Sequence, residues 1–284
     1  MYPAPFDYYR PSQVPEAIAL LEQHPEAKLL AGGHSLLPMM KLRLASPSAL
    51  IDLHGIPGLA GVQRAGDSVV IGPLTTYDAL LADPTIQQTL PLMVEAATVV
   101  GDLQVRNRGT IGGSAAHADP AADFPAVLLA LAAQFRVVGP QGERTIAAND
   151  FFQDLFTTAL APNEVLTEIR MPVPAPGTGM AYEKFAHPAS GYAIVGVAAV
   201  VGPGGQPLRV AITGAGPVAR RASATEQALS GQPLSAQAIA RAAEQAGQGM
   251  TFLGDIHAGE DYRRHLTQVY TRRALTRAWQ QAQG

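Results

Sequence analysis

The spacing of apolar and polar positions predicts a helix over Pro15 to Gln23, a strand over Lys28 to Ala31, a helix over Ser35 to Leu42 and a strand over Ala49 to Leu53. These make a small α/β unit. Two β-like runs, Gly61 to Arg64 and Ser68 to Ile71, flank Ala65-Gly66-Asp67 and predict a hairpin. Helical spacing returns over Thr76 to Leu81 and Pro91 to Val100, and Arg106 to Gly113 has the composition of a loop. Asp123-Phe124-Pro125 opens a helix to about Ala133, with Asp123 as its expected N-cap and proline tolerated just inside. A second hairpin is predicted from Arg136 to Val138 and Arg144 to Ala147 around Gly139-Pro140-Gln141-Gly142, followed by a strand over Glu164 to Met171.

Pro172, Pro174, Pro176, Gly177 and Gly179 then mark a linker. Strand patterns over Ala181 to Phe185, Ala193 to Val201 and Leu208 to Thr213 give way to amphipathic helices over Ala222 to Leu229, Ala236 to Gln245 and Asp261 to Gln281. The pattern implies an α+β protein with units at 1–54, 55–174 and 175–284. No internal repeat or low-complexity tail is present.

With 284 residues, 47% of them hydrophobic, the chain can bury a sizeable core. Its 20 Lys and Arg against 23 Asp and Glu leave a formal charge of -3, which gives no basic field to hold a row of nucleic-acid phosphates. The absence of cysteine excludes disulfides, thiolate zinc sites and any cysteine-ligated iron-sulfur cluster on this chain. Redox chemistry would therefore require a bound organic cofactor. The opening Met1-Tyr2-Pro3-Ala4-Pro5 lacks the n- and h-regions of a secretory signal, so a cytoplasmic location is expected. The longest apolar runs, Phe124 to Phe135 and Tyr192 to Gly202, fall short of the ~20 residues that span a bilayer.

Two glycine-centred segments carry the candidate chemistry. In Ala31-Gly32-Gly33-His34-Ser35-Leu36 a strand runs through paired glycines into a helix, a corner that can aim consecutive N–H groups at a pyrophosphate. An ordinary strand-to-helix turn has the same pattern. The second segment runs from Val105 to Asp123 and has few bulky apolar side chains, so a ligand could lie against its backbone. Thr110, Ser114, His117 and Asp123 offer hydroxyl, imidazole and carboxylate groups to ribityl and ribose hydroxyls. A polar surface Ω-loop is the alternative.

These segments resemble the FAD-binding medium subunit of molybdenum hydroxylases, a family that includes aerobic carbon monoxide dehydrogenases and the flavin domain of xanthine dehydrogenase. The resemblance covers essentially the whole chain. It rests on Ala31 to Leu36, on Arg106-Asn107-Arg108-Gly109-Thr110-Ile111-Gly112-Gly113-Ser114 and on His117-Ala118-Asp119-Pro120-Ala121-Ala122-Asp123. Ile71 to Tyr77, Tyr182 to Phe185 and Gly191 to Val197 extend it. It implies a vanillyl-alcohol-oxidase-type FAD domain, with two α/β subdomains, followed by a flavoprotein C-terminal domain.

By the same resemblance, Ala31, Gly32, Gly33, His34, Ser35 and Leu36 would hold the FAD pyrophosphate and adenosine with Thr110, Ile111, Gly112, Gly113 and Ser114. Asp123 would contact the flavin's sugar-like chain, Leu166 the isoalloxazine and Lys184 its polar edge, with Tyr192 a candidate ring neighbour. Relatives often carry Asn where this chain has the shorter Ser114, so a hydrogen bond there would pass through water. The implied partners are a molybdopterin-binding large subunit and an iron-sulfur small subunit, with FAD passing electrons to a quinone or NAD. Within the family, the aerobic carbon monoxide dehydrogenase type is the first expectation, followed by enzymes acting on aldehydes or N-heterocycles. The lack of cysteine argues against the 4-hydroxybenzoyl-CoA reductase type, whose flavin subunit carries a cluster.

Other readings stay open at this point. A self-sufficient flavoenzyme would need an acid or base at the ring, for which only Tyr192 and His117 can be nominated. A flavin-free scaffold or nucleotide-sensing module is a third possibility. From the residues alone, Lys184 reads first as a strand lysine facing water, a reading only the family resemblance reverses, and Tyr192 equally as core packing. His34 and His117 lack a partner at ligand spacing, and His54, His187, His257 and His265 are scattered, so no metal site is expected. Gly214-Ala215-Gly216-Pro217-Val218-Ala219 imitates a dinucleotide fingerprint, but Pro217 removes a donor and helix-like sequence follows. Arg263, Arg264, Arg272, Arg273 and Arg277 are expected on a solvated helix face, part of which could dock a partner subunit.

Overall fold

Three main sheets follow one another along the chain in the computed structural model, which describes residues 1–284. The first is parallel, with β1 (Asp7–Tyr9), β2 (Lys28–Leu30) and β3 (Ala49–Asp52) in the order β1-β3-β2. Parallel neighbours need crossovers; α1 (Val14–Gln23) and α2 (Leu36–Lys41) supply them. Ala17, Ile18 and Leu21 of α1 pack on Ala49 and Ile51 of β3. Residues 31–35 therefore leave the carboxyl edge of a parallel sheet, the edge where open α/β units form a ligand crevice.

The second unit begins with the predicted hairpin, β4 (Val62–Ala65) and β5 (Ser68–Ile71), which turns at Gly66 with φ 60°. Six short helices follow: α3 (Tyr77–Ala82), α4 (Pro84–Thr89), α5 (Pro91–Thr98), α6 (Leu103–Arg108), α7 (Ile111–His117) and α8 (Phe124–Ala130). Strands β6 (Gln134–Gly139) and β7 (Gly142–Ala147), helix α9 (Ala148–Phe151), the small pair β8 (Phe152–Asp154) and β9 (Thr157–Thr158), and β10 (Val165–Pro172) complete it. The antiparallel sheet runs β4-β5-β10-β6-β7.

The segment from Arg106 to Gly113 differs from expectation: it contains the end of α6 and the start of α7, not a loop. Two caps account for this. Val105 N–H donates to Asp102 Oδ1 at 2.8 Å and Gly113 N–H to Thr110 Oγ1 at 3.0 Å, each satisfying an amide that a helix start leaves free.

The C-terminal sheet is β11 (Gly179–Ala186), β12 (Ala193–Val201), β13 (Leu208–Thr213) and β14 (Arg220–Arg221), in sequence order and antiparallel. Helices α10 (Ser223–Leu229), α11 (Ala236–Ala243) and α12 (Glu260–Gln281) cover one face. The other face packs on the second unit, where Met180, Tyr182, Ala198, Val200 and Ala211 share a core with α5 and α8. All nine residues of β12 are buried, which explains its unbroken apolar run.

Candidate functional site

The first glycine segment leaves a run of consecutive free amides. The N–H groups of Gly32, Gly33, His34, Ser35 and Leu36 donate to no acceptor within the chain, and Gly33 takes φ 76° at the bend. Successive N–H groups around a left-handed glycine form a concave anion site. Thr110 N–H, at a residue only 3% exposed, likewise meets no acceptor. A buried amide left without a partner is costly, and a phosphate oxygen there would complete it.

The second segment contributes differently from expectation. At the start of α7, Ile111 N–H donates to Thr75 O (3.0 Å), Gly112 N–H to Pro73 O (2.8 Å) and Gly113 N–H to the Thr110 hydroxyl. None of these three is available to a pyrophosphate. The glycines serve close packing instead. A Cβ on Gly32 would overlap the Arg108 carbonyl and one on Gly112 would overlap Pro73, while one on Gly113 would lie 2.7 Å from Thr110 Oγ1 and 3.5 Å from Ala31 Cβ. The missing side chains of Gly32 and Gly113 thus let the two segments lie against each other, and that of Gly112 lets α7 pack on Pro73.

Asp123 also departs from its expected role. It makes no cap to α8 and adopts helical φ/ψ. Its carboxylate turns inward to accept from Tyr182 OH (2.6 Å) and Lys184 Nζ (2.9 Å), and Lys184 also donates to Val99 O at 2.9 Å. The side chains of Lys184 and Asp123 are 5% and 6% exposed. Burial raises the Asp123 carboxyl above the usual carboxylate range, opposed by the Lys184 ammonium and the Tyr182 hydroxyl. Burial also pushes the Tyr182 hydroxyl well up, and the Asp123 charge adds to this. An ammonium has three donors, so one on Lys184 remains for a ligand. The reading of Lys184 as a solvated strand lysine is thereby excluded.

Tyr192 is 44% exposed, not core, and its hydroxyl lies near Ser35. Its pKa is raised by burial of the phenol oxygen and by the charge of Asp119, with Ser35 opposing. Ala193 N–H donates to Ala121 O, and Thr213 Oγ1 donates to Pro120 O and Ala122 O, so the C-terminal sheet holds the 118–123 segment in place. Gly214 N–H adds a bond to Pro120 O at 2.7 Å; the imitation fingerprint is a turn whose first glycine secures this segment. Ser114 lies beside the buried Tyr77 hydroxyl, which burial pushes up. His117 sits against Phe156 with ring centroids 5.0 Å apart, and burial lowers its pKa. Leu166 is 6% exposed, in the large core beside the bulge of β10.

Tyr182, Glu95 and Arg277 escaped the sequence reading as site residues. Tyr182 is an aromatic in an apolar strand, and nothing local marks its hydroxyl as reaching Asp123. The arginines of α12 are not all solvated: Arg263 is 5% exposed and donates to Ile194 O and Gly214 O, both at 2.7 Å, and Arg277 reaches across to Glu95 and Glu183. Arg264, Arg272 and Arg273 do face outward. No group of three or more His, Asp or Glu side chains could hold a metal ion, and no helix is long and apolar enough to cross a membrane.

A run of free amides at a sheet edge, a tyrosine whose hydroxyl lies near Ser35 and a buried carboxylate–ammonium pair suit a long cofactor with an anionic middle and a planar polar end. The fold and site define a flavin-dinucleotide-binding protein. Residues 4–174 match the FAD binding domain in molybdopterin dehydrogenase, and residues 180–278 match the CO dehydrogenase flavoprotein C-terminal domain. The chain belongs to this family of flavoprotein subunits.

Among its relatives, the carbon monoxide dehydrogenase medium chain of Hydrogenophaga pseudoflava is 44% identical over 98% of this chain and 99% of its own. The nicotine 6-hydroxylase medium subunit of Paenarthrobacter nicotinovorans is 36% identical, covering 95% and 96%. In structure, the chain is similar to the carbon monoxide dehydrogenase from Hydrogenophaga pseudoflava that lacks the Mo-pyranopterin moiety, with TM-score 0.96, 45% identity and 99% of each chain covered. It is also similar to quinoline 2-oxidoreductase from Pseudomonas putida 86, with TM-score 0.93, 32% identity and all of both chains covered.

Proposed function

We propose that this chain is the FAD-carrying electron-transfer subunit of a molybdenum hydroxylase of the aerobic carbon monoxide dehydrogenase type. The run of free amides from Gly32 to Leu36 carries the reading, because it is an anion site built into the backbone. The 44% identity to a carbon monoxide dehydrogenase medium chain favours that type over the N-heterocycle enzymes, whose relatives are 29–37% identical.

In this reading, Ala31 to Ser35 with Leu36 and the Thr110 N–H take the pyrophosphate, while Ile111 and Gly112 fix the start of α7 to Thr75 and Pro73 and Gly113 leaves room for Ala31. Ser114 and His117 border the site. Asp123, Leu166, Lys184 and Tyr192 surround the flavin end, with the free Lys184 donor at the polar edge. Bound FAD supplies a centre that collects electrons one at a time and releases them in pairs. A molybdopterin subunit and an iron-sulfur subunit lie upstream, since this chain has no cysteine to ligate clusters. A quinone or NAD lies downstream. The units 1–54, 55–174 and 175–284 and a cytoplasmic location belong to the same proposal.

The test is to co-express this chain with its partner subunits and record the visible spectrum. Releasable FAD that is bleached by carbon monoxide is the expected result. A complex without flavin sinks the cofactor assignment, and a flavin bleached only by an aldehyde or N-heterocycle moves the chain to that branch.

A further inference from the structure

The strand carrying Tyr182 and Lys184 is gripped from both sides by residues outside the cofactor site. Tyr182 N–H donates to Glu95 Oε2 of α5 at 2.8 Å. Arg277 of α12 donates to the same carboxylate oxygen, to Glu183 Oε1 at 2.7 Å and to the Tyr182 carbonyl at 3.1 Å. Both backbone groups of Tyr182 and the side chain of Glu183 are therefore held by one Glu–Arg pair. Tyr182 OH and Lys184 Nζ emerge from that stretch of β11 to hold the two oxygens of Asp123. Helix α5 acts twice, because its C-cap residue Val99 accepts from Lys184 as well.

We infer that Glu95 and Arg277 are positioning residues for the flavin's reduction potential. They fix the register of β11 against α5, and so fix where the buried Lys184 ammonium stands relative to the flavin edge. A cation held near the edge favours the reduced, more negative cofactor. One that drifts with a loosened strand favours it less. The inference rests on the flavin reading above, and acts through Lys184 alone.

The experiment uses the assembled, FAD-loaded complex and a redox titration monitored by flavin absorbance. Arg277→Gln is expected to lower the flavin midpoint potential by about 30 mV, the two-electron equivalent of a tenfold weaker preference for reduced flavin. Glu95→Gln keeps an oxygen for the Tyr182 amide but loses the charge that holds Arg277, and is expected to shift the potential the same way by less. Lys184→Met lowers it further, and Arg277→Gln adds nothing in the Lys184→Met background, as expected for two residues acting through one group.

A purely structural pair would lower the melting temperature and leave the potential where it was. That outcome overturns the inference, as does a shift from Arg277→Gln that persists in full without Lys184. Should Arg277→Gln fail to assemble, Arg277→Lys and Glu95→Gln carry the same titration. A wild-type complex without FAD would instead defeat the cofactor reading, so the two failures are distinguishable.

Discussion

At the residue scale, the glycines hold up the site in a different way from that suggested by their sequence. Paired glycines before a helix imply room for phosphate, yet Gly32 and Gly112 face the Arg108 carbonyl and Pro73, and Gly113 faces its own helix cap. Gly32→Ala should therefore cost both stability and flavin, because a Cβ there forces residues 31–36 away from Arg108. The check is a thermal melt of the flavin-free variant beside its FAD content: flavin loss with an unchanged melt would return Gly32 to a pure phosphate role. The buried pair gives the opposite case. Asp123→Ala leaves the Lys184 ammonium buried without its anion, a loss of about 3–5 kcal/mol for removing one partner of such a pair. Chemical denaturation should show it; a loss below 1 kcal/mol would mean the ammonium finds water. The candidate segments were legible because small and polar residues cluster at 31–36 and 105–123. Where their hydrogen bonds go was not, since Tyr182 lies 59 positions from Asp123.

At the element scale, periodicity placed the longer strands and helices, but it left out the short β1, β8, β9 and β14 and the short helices α4 and α9, and it read the α6–α7 stretch as a loop. Helices α6 and α7 are too short to show an apolar stripe, and each exists because an Asp or Thr satisfies its first free amides. Thr110→Val should loosen α7 by about 1 kcal/mol and open the contact between the two glycine segments. Faster amide exchange over 111–115, with the C-terminal sheet unaffected, is the expected signature. The approach to α12 is a second local lock. Asp255 accepts from the amides of His257 and Ala258 and pairs with buried Arg263, and these bonds, the amides first, hold its carboxyl below the ordinary value of 3.8. A depressed folded-state pKa means that the unfolded chain binds the proton more readily. The contribution is complete above 3.8 and is lost as the pH falls through the folded value. Asp255→Asn should flatten the fall of melting temperature below about pH 4; an unchanged acid limb would show that other carboxylates dominate there.

At the scale of the whole molecule, α12 belongs to the interior as much as to the surface. Leu266, Tyr270, Ala274, Leu275 and Ala278 share a core with β11 to β13, so deleting the chain after Asp261 would unfold the C-terminal unit before it tested docking. Its outward Arg264, Arg272 and Arg273 are the residues with which to probe a partner. The proposed cofactor site draws on all three parts of the fold: the free amides follow β2 of the first sheet, Thr110 and Asp123 border α7 and α8 of the second unit, and Lys184 and Tyr192 come from β11 and the turn before β12. A ligand spanning all of these binds only when the units are docked, so its binding free energy must appear in the stability of each. At a free concentration one hundred times the dissociation constant, that linkage amounts to about 2.7 kcal/mol. Calorimetry of the complex at increasing FAD should show the transition of this subunit move upward as one event, with the extent set by free FAD. If only part of it moved, the C-terminal unit would be a bystander to the cofactor, and Lys184 and Tyr192 would have to be removed from the site.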